Sequence, residues 1–451
     1  MTFLQKLQQF ISPQPSKQSI SYPARKVRGN YAIALDIGTE WVKCVVFSTR
    51  QDMQKKARIL GVSHVQQTYG DMNGGAIVNT DQVAMKCNQA VEEAMIMANI
   101  EPDQMIVGIG GELVKGATTT IEYERPRPQE AISLAELKEI VHRVQWKAFD
   151  RVRKQLALET GYPEMDVKLI NAAITEMTVD GFQVANPLGF QGKYITMSIF
   201  NAFAPLIHFS ALKHIADQLD FDLLAITAEP YSIAKALNES HNNTWDGIII
   251  DIGGGTTDVA VIRNGILEGT QMFAMGGQGV TRRIEQLLSI SFAEAEIIKL
   301  GLTSVSKNAD ADIKLPAKNK SLSREELTTL QQHLLSDAKI WRDGLILTLE
   351  EYNQEHPLPT NIYLCGGGSL LPQISLVLEE ENWFKKLSFL EKPSIMQVGC
   401  KEISAFTDET GQLKEFHDVT VLSLAHLALE LAGEERLVDR ILRKTLKMMR
   451  N

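Results

Sequence analysis

Residues Asp251-Ile252-Gly253-Gly254-Gly255-Thr256-Thr257-Asp258 join two apolar runs through three successive glycines. Without Cβ atoms, backbone N–H groups in such a turn can converge on one point as an anion nest, and the hydroxyls of Thr256 and Thr257 add donors. Polyphosphate binding is the chemistry that fits. A carboxylate at the strand tip, Asp251, repels phosphate but can hold a hydrated Mg2+ that neutralises it. Taken alone, the segment reads as well as a tight glycine hairpin. A second unit of the same form, Ala32-Ile-Ala-Leu-Asp36-Ile-Gly38-Thr39, lies about 215 residues earlier. Two such units would hold a ligand where their Asp-tipped turns face each other across a cleft. A third piece, strand Asn361–Cys365 followed by Gly366, Gly367, Gly368 and Ser369, has no acid in its turn. It suits close approach to a flat uncharged group such as adenine. Other phosphate, dinucleotide and zinc signatures are missing: no Gly-x-x-x-x-Gly-Lys-[Ser/Thr], no complete Gly-x-Gly-x-x-Gly opening a helix, no His-Glu-x-x-His.

The elements that would carry these turns alternate. Two strands joined at Gly38-Thr39 span Tyr31 to Phe47, with more strand to about Val65. Asn79-Thr80 caps a helix whose Val83, Cys87, Val91, Ala94 and Ala98 recur at helical spacing, and a strand follows at Met105–Ile109. Residues 112–190 break the rhythm with a Pro/Arg loop, a charged helix from Ser133 to about Gln155, and strands near 167–178 and 182–185. They read as a small inserted α/β unit. Strand Tyr194–Ala202, helix Ala204–Leu219, strand Leu223–Thr227 and helix Pro230–Leu237 resume the α/β layer. Strands at Gly247–Asp251, Thr257–Arg263 and Ile266–Phe273 follow, helices dominate 279–355, and helices close the chain. The expected organisation is an amphipathic helix and tether at 1–29, a first lobe at 30–111 and 191–245 interrupted by the insertion at 112–190, a second lobe at 246–430, and a basic amphipathic helix at 431–451.

With 451 residues, 44% apolar and 22% charged, the chain is long enough for two packed cores, and disorder is excluded. No apolar run approaches the ~18 residues of a membrane-spanning helix. Cys44, Cys87, Cys365 and Cys400 lie far apart without a Cys-x-x-Cys pair, which favours buried thiols over disulfides or zinc. The net charge of −9 hides an asymmetry. Five basic residues and no acid precede Asp36, leaving 41 basic against 55 acidic groups in the remainder, and six basic residues meet one acid between Arg436 and Arg450. Both positive ends pair with apolar helical faces: Phe3, Leu4, Leu7, Phe10 and Ile11 at one, Leu437, Val438, Ile441, Leu442, Leu446, Met448 and Met449 at the other. The expected target is a negative surface; for the C-terminal helix, packing on the second lobe is the plain alternative. No nucleic-acid partner is expected.

The first turn, the Asp251–Asp258 turn, Ala228-Glu229-Pro230 and Cys365-Gly-Gly-Gly-Ser-Leu-Leu-Pro372 resemble the two phosphate motifs, the connecting motif and the adenosine motif of the actin-like ATPase superfamily. Within it, the chain over roughly 30–430 looks like the bacterial cell-division family FtsA, on the inserted unit ending in Asn186-Pro-Leu-Gly-Phe-Gln-Gly192 and on Ala293-Glu-Ala-Glu296-Ile-Ile-Lys299. The resemblance implies a two-lobed α/β actin-like fold with the small subdomain inside the first lobe. It implies ATP and Mg2+ as ligands, with Asp36 and Asp251 at the metal and Gly38, Thr39, Gly253, Gly254, Gly255, Thr256 and Thr257 at the phosphates. Gly276 and Gly277 would add N–H groups. Glu229 would orient the attacking water, with a helix N-terminal acid before Pro230 as the plain alternative. Glu296 and Lys299 would contact the nucleoside, against a mere surface ion pair, and Gly366 to Ser369 would approach adenine. The partners so implied are an FtsZ-like division polymer and further copies of the chain, with slow ATPase activity left open. The resemblance also makes the negative surface an anionic membrane, met through the terminal amphipathic helices at its cytoplasmic face at the division site. A PilM-like pilus adaptor and a small-molecule kinase of the same fold are the alternatives.

Overall fold

The computed structural model describes residues 30–52, 56–161, 166–241, 245–305, 314–315, 320–353, 356–380 and 383–432. The terminal helices expected at 1–29 and 431–451 fall outside the described residues, except for the end of the helix reaching Ala432. The strands used below are β1 (Tyr31–Ile37), β2 (Trp41–Ser48), β3 (Ala57–Gln66), β4 (Gln104–Ile109), β5 (Lys115–Glu124), β6 (Val167–Val179), β7 (Phe182–Gln183), β8 (Tyr194–Pro205), β9 (Asp222–Ala228), β10 (Gly247–Ile252), β11 (Thr257–Arg263), β12 (Ile266–Phe273), β13 (Asn361–Cys365), β14 (Ser394–Gln397) and β15 (Phe406–Asp408). The helices are α1 (Thr80–Ala98), α2 (Leu134–Thr160), α3 (Leu206–Gln218), α4 (Glu229–Ser240), α5 (Gly277–Leu288), α6 (Phe292–Val305), α7 (Arg324–Glu350), α8 (Pro372–Glu379) and α9 (Val419–Ala432).

Two sheets carry the fold. The first has the order β9-β4-β1-β2-β3-β15, the second β14-β13-β10-β11-β12-β5-β8-β6-β7. In both, three antiparallel strands (β1-β2-β3 and β10-β11-β12) are extended by two parallel ones, β4 and β9 beside β1 and β13 and β14 beside β10. The duplication that two short motifs hinted at is therefore a duplication of sheet topology. β1 and β10 are covered on both faces, so they read as continuous apolar runs rather than alternating ones.

Three features depart from the sequence expectation. Residues 115–124, given no element of their own within the small inserted α/β unit, form the ten-residue strand β5. β8, expected to resume the first lobe, pairs with β5 on one side and β6 on the other, so the sheet of the insertion takes it in. β5 also pairs with β12 at Ala117 and Thr270's partner Gly116, which fuses that sheet to the second lobe's. An unpaired ten-residue strand would leave its backbone donors and acceptors unsatisfied, and the partners that satisfy them here are remote in sequence.

Near the C-terminus, β14 and β15 stand where helices were expected, and β15 returns the chain to the edge of the first sheet beside β3. From there α9 packs on β1, β2, β4 and α4. Val419, Val421, Leu422, Leu424, Ala425, Leu427, Ala428 and Leu429 are all buried, which is why this helix is apolar on every side. Each of its large side chains removed from water contributes roughly 1.5–3 kcal/mol. Cys44, Cys87 and Cys365 are buried thiols as expected, whereas Cys400 is only half-buried, on a short 3-10 turn facing Lys414.

Candidate functional site

The β1–β2 and β10–β11 turns face each other across a cavity of about 320 Å³ between the two sheets. Hairpin register places Asp36 opposite Lys43 in one unit and Asp251 opposite Asp258 in the other. Of the residues singled out from sequence, Asp36, Gly38, Thr39, Glu229, Asp251, Gly253, Gly254, Thr256, Gly277, Glu296, Lys299, Gly366, Gly367 and Gly368 line this cavity. Glu296 and Lys299 are not a surface pair. Both are buried and bonded to each other at 2.7 Å, Glu296 accepts from Thr281 Oγ1, and Lys299 donates to the carbonyl of Gly277.

Four residues sit otherwise. The Thr257 hydroxyl, expected as a phosphate donor, donates to the carbonyl of Met275 and accepts from Trp341 Nε1, because the residue alternates to the far face of β11. Ser369 is fully buried and its hydroxyl closes a turn onto the carbonyl of Gly366. Gly255 and Gly276 are packing glycines outside the cavity lining: a Cβ on Gly255 would meet the Thr39 side chain, one on Gly276 the Gly254 backbone at 2.7 Å. The N–H of Gly277 and the next, that of Gln278, donate to the carbonyls of Gly253 and Gly254 at 3.0 and 2.8 Å. They brace the turn, so the start of α5 shapes the nest without offering those two donors to a ligand.

Sequence reading missed several members. Lys43 reaches Asp36 Oδ2 at 3.0 Å. Burial alone would lower its pKa, but the carboxylates of Asp36, Asp418 and Asp251 outweigh that and hold the ammonium above its ordinary value. Asp258 lines the cavity, and one of its oxygens, Oδ1, is buried without a hydrogen-bond partner among the described residues. Glu40 of the β1–β2 turn accepts a 2.9 Å hydrogen bond from Gln278 Nε2 at the start of α5, the residue whose own N–H braces Gly254. His417 and Thr420, from the start of α9, complete the wall. Both Lys43 and Asp258 stand seven residues after the aspartate of their turn, a spacing readable from the repeat.

Glu229 opens α4 directly after β9, with its carboxyl lying over Gly108 and Gly110 at the end of β4; a Cβ on either would come within 2.9 Å of it. The preceding peptide is held by Asn171, which accepts from the N–H of Ala228 at 2.7 Å and donates to Thr227 Oγ1. Burial, and then the charges of Asp36, Asp258 and Asp251, push the Glu229 carboxyl well above the usual carboxylate range. Asp258 is pushed up by burial and by Asp251, and Asp251 by burial, opposed by a hydrogen bond from Thr420.

Glu296 and Lys299 neutralise each other, whereas Asp36, Glu229, Asp251 and Asp258 gather around Lys43 and leave a deficit of positive charge that a divalent cation would fill. Among the described residues no three His, Cys, Asp or Glu side chains form an all-protein metal cage. Mg2+ does not need one, since it is commonly held by one or two carboxylates together with phosphate oxygens and water. The residues fit that arrangement through Asp251 and the partnerless Asp258 oxygen. Asp36, expected as a metal ligand, is already ion-paired with Lys43.

The raised carboxyl pKa values have a stability consequence with a definite sign. The folded chain keeps protons that the unfolded chain would release. That contribution is full below the unfolded carboxylate value of about 4 and is lost as pH rises through the folded values. Thermal midpoints measured between about pH 5 and 8 should therefore fall less steeply with pH in Asp258→Asn than in the parent chain. Equal slopes would remove the carboxylate cluster as the cause.

Comparison with known proteins adds the following. The family description "Cell division protein FtsA" matches residues 248–409. The chain is 25% identical over 401 residues to the cell division protein FtsA of Streptococcus pneumoniae, covering 86% of this chain and 82% of the relative. With that of Enterococcus faecalis it shares 25% over 363 residues, 77% of this chain and 76% of the relative. In three dimensions it is similar to a chain of a PilM–PilN type IV pilus biogenesis complex, with a TM-score of 0.55 and 16% identity over 89% of this chain and 99% of that one. This last likeness bears on the fold.

Proposed function

Since this chain is an actin-like ATPase superfamily protein related to bacterial FtsA, with the two-lobed α/β architecture of that superfamily, we propose that its interlobe cleft binds Mg2+-ATP and that the loaded protein self-associates to tether a division polymer of the FtsZ type to the membrane. One observation supports the nucleotide reading above the rest: two glycine turns and the cluster of Asp36, Glu229, Asp251 and Asp258 around Lys43 converge on one cavity. Lys43 stands ready to exchange its Asp36 partner for a phosphate oxygen. Asp251 and Asp258 hold the metal, which when bound draws negative charge from the phosphate chain. Glu229 orients water from its seat over Gly108 and Gly110, in a protonation state set by burial and its acidic neighbours. Glu296 and Lys299, fixed to α5, face the nucleoside. The Gly366–Gly368 turn and His417, whose ring lies within 3.0 Å of where a Gly367 Cβ would be, offer a flat surface for the base.

Calorimetry of the full chain with ATP and Mg2+ tests the site, and no heat of uptake would end the reading. The membrane role is supported by the basic, amphipathic character of both ends of the sequence and by relationship to FtsA. Among the described residues no helix is long and apolar enough to cross a membrane. Each basic residue near anionic lipid contributes roughly 1 kcal/mol, and one short apolar face binds only marginally, so assembly on lipid must multiply weak anchors. We expect ATP-dependent sedimentation with anionic liposomes, lost on deleting residues 1–28 and 434–451. Undiminished sedimentation of that truncated chain would refute terminal anchoring, and a soluble monomer that captures a short peptide would favour a pilus-type adaptor.

A further inference from the structure

We propose that Thr420 is a positioning residue for the cleft's metal-binding carboxylate, acting through Asp251 from the opposite lobe; the proposal rests on the reading of the cleft as a Mg2+-nucleotide site. Thr420 Oγ1 donates to Asp251 Oδ2 at 2.7 Å, and both residues are buried, at 4% and 7% exposure. The other oxygen, Oδ1, occupies the space above Gly366 that a Cβ would take. Asp251 is thus pinned at one oxygen and left with the other facing the cavity turn.

The donor itself has no freedom to follow the carboxylate. Thr420 lies in the first turn of α9, whose following residues are buried against the first sheet. The helix start is fixed by Asp418, which accepts from the N–H of Lys414 at 2.6 Å and meets His64 Nε2 of β3 at 2.9 Å through both carboxylate oxygens. A hydroxyl anchored on one lobe therefore sets the orientation of a carboxylate tipping a strand of the other. Hydrogen bonds of this kind to ligating groups fix their orientation and raise affinity for the metal, while touching neither metal nor substrate.

The test titrates MgCl2 into the full chain with ATP present and compares nucleotide uptake with that in EDTA. Thr420→Val keeps the volume and removes the donor. It should raise the Mg2+ concentration for half-maximal uptake by about 10–100-fold, the shift being read against each variant's own uptake in EDTA. Thr420→Ser, which restores the hydroxyl, should return it to within about threefold of the parent. A role confined to packing predicts the reverse: Thr420→Val, which keeps the volume, stays near parental stability, Thr420→Ser, which loses the methyl group, is destabilised, and Mg2+ dependence is unmoved in both. Parental Mg2+ dependence in Thr420→Val, or no rescue by serine, overturns the proposal. A parent chain that takes up no nucleotide under either condition overturns the cleft reading instead, and the two failures are distinct.

Discussion

Gly366→Ala is expected to abolish measurable Mg2+-ATP uptake and to destabilise the chain, the largest effect of any single methyl group in the cleft. Gly366 has φ +79°, in the left-handed region, and a Cβ there would run into Asp251 Oδ1 and stand 2.5 Å from the carbonyl of Ile252. With ψ 158° this is a conformation open essentially to glycine alone, and it costs a non-glycine residue about 1–3 kcal/mol. Forcing an atom into filled space adds about 1–3 kcal/mol. Neither obstacle is the tip of a flexible side chain free to swing away: one is strand backbone and the other the carboxylate held by Thr420. The clash must therefore move β10, β13 or Asp251 itself, and each of these shifts the metal-binding group. Gly411→Ala separates the contributions. Gly411 has φ +63° with nothing within 4 Å of its Cβ position, so it carries the backbone cost alone. Calorimetry should find nucleotide uptake intact in Gly411→Ala and lost in Gly366→Ala, with both thermal midpoints lowered. Parental affinity in Gly366→Ala would mean that Asp251 does not hold the metal.

How much of this was legible beforehand depends on how far apart in sequence the interacting groups lie. The two Asp-tipped turns were readable because each is local: strand, glycine and strand within ten residues. Their equivalence also contained Lys43 and Asp258, since an antiparallel hairpin puts the seventh residue after the turn's aspartate directly opposite it, and that register was not followed through. Thr420 lay beyond reach. Its partner is 169 residues away, and the contact exists only because β15 carries the chain back to the first sheet before α9 begins. The same limit explains the Gly277 N–H, which looked free at a helix start until packing brought the Gly253 carbonyl against it. It explains β5 too, whose pairing with β8 and β12 gives the insertion a sheet shared with the second lobe. Thr257 differs for another reason: it begins β11 with its hydroxyl on the face toward Met275 and Trp341, whereas Thr256, in the turn before the strand, lines the cavity.

Glu229→Gln separates the two roles open to this carboxylate. If it only favours the helix dipole at the start of α4, losing the charge should destabilise the chain by about 0.3–1 kcal/mol and leave turnover alone. The cavity argues for the opposite result. Glu229 shares its surroundings with Asp36, Asp251 and Asp258, whose negative charges, together with burial, already drive its carboxyl upward. Removing one charge from that group relieves repulsion, so the amide variant should be as stable as the parent at low pH and more stable at high pH, where the parent carboxyl ionises. Nucleotide affinity should hold, because the turns at Gly38 and Gly253 are untouched. Any hydrolysis should fall by about 10²–10⁴-fold, the range associated with losing a positioned general base. The side chain is held for such a role by the glycines beneath it and by Asn171 behind its peptide, so the amide occupies the same place and only its proton chemistry changes. Single-turnover phosphate release by parent and variant, at matched nucleotide occupancy, decides the matter. Equal rates, or a parent rate no faster than ATP in buffer, leave Glu229 as a helix-terminal acid. A slow variant that has gained stability at high pH assigns it to the water.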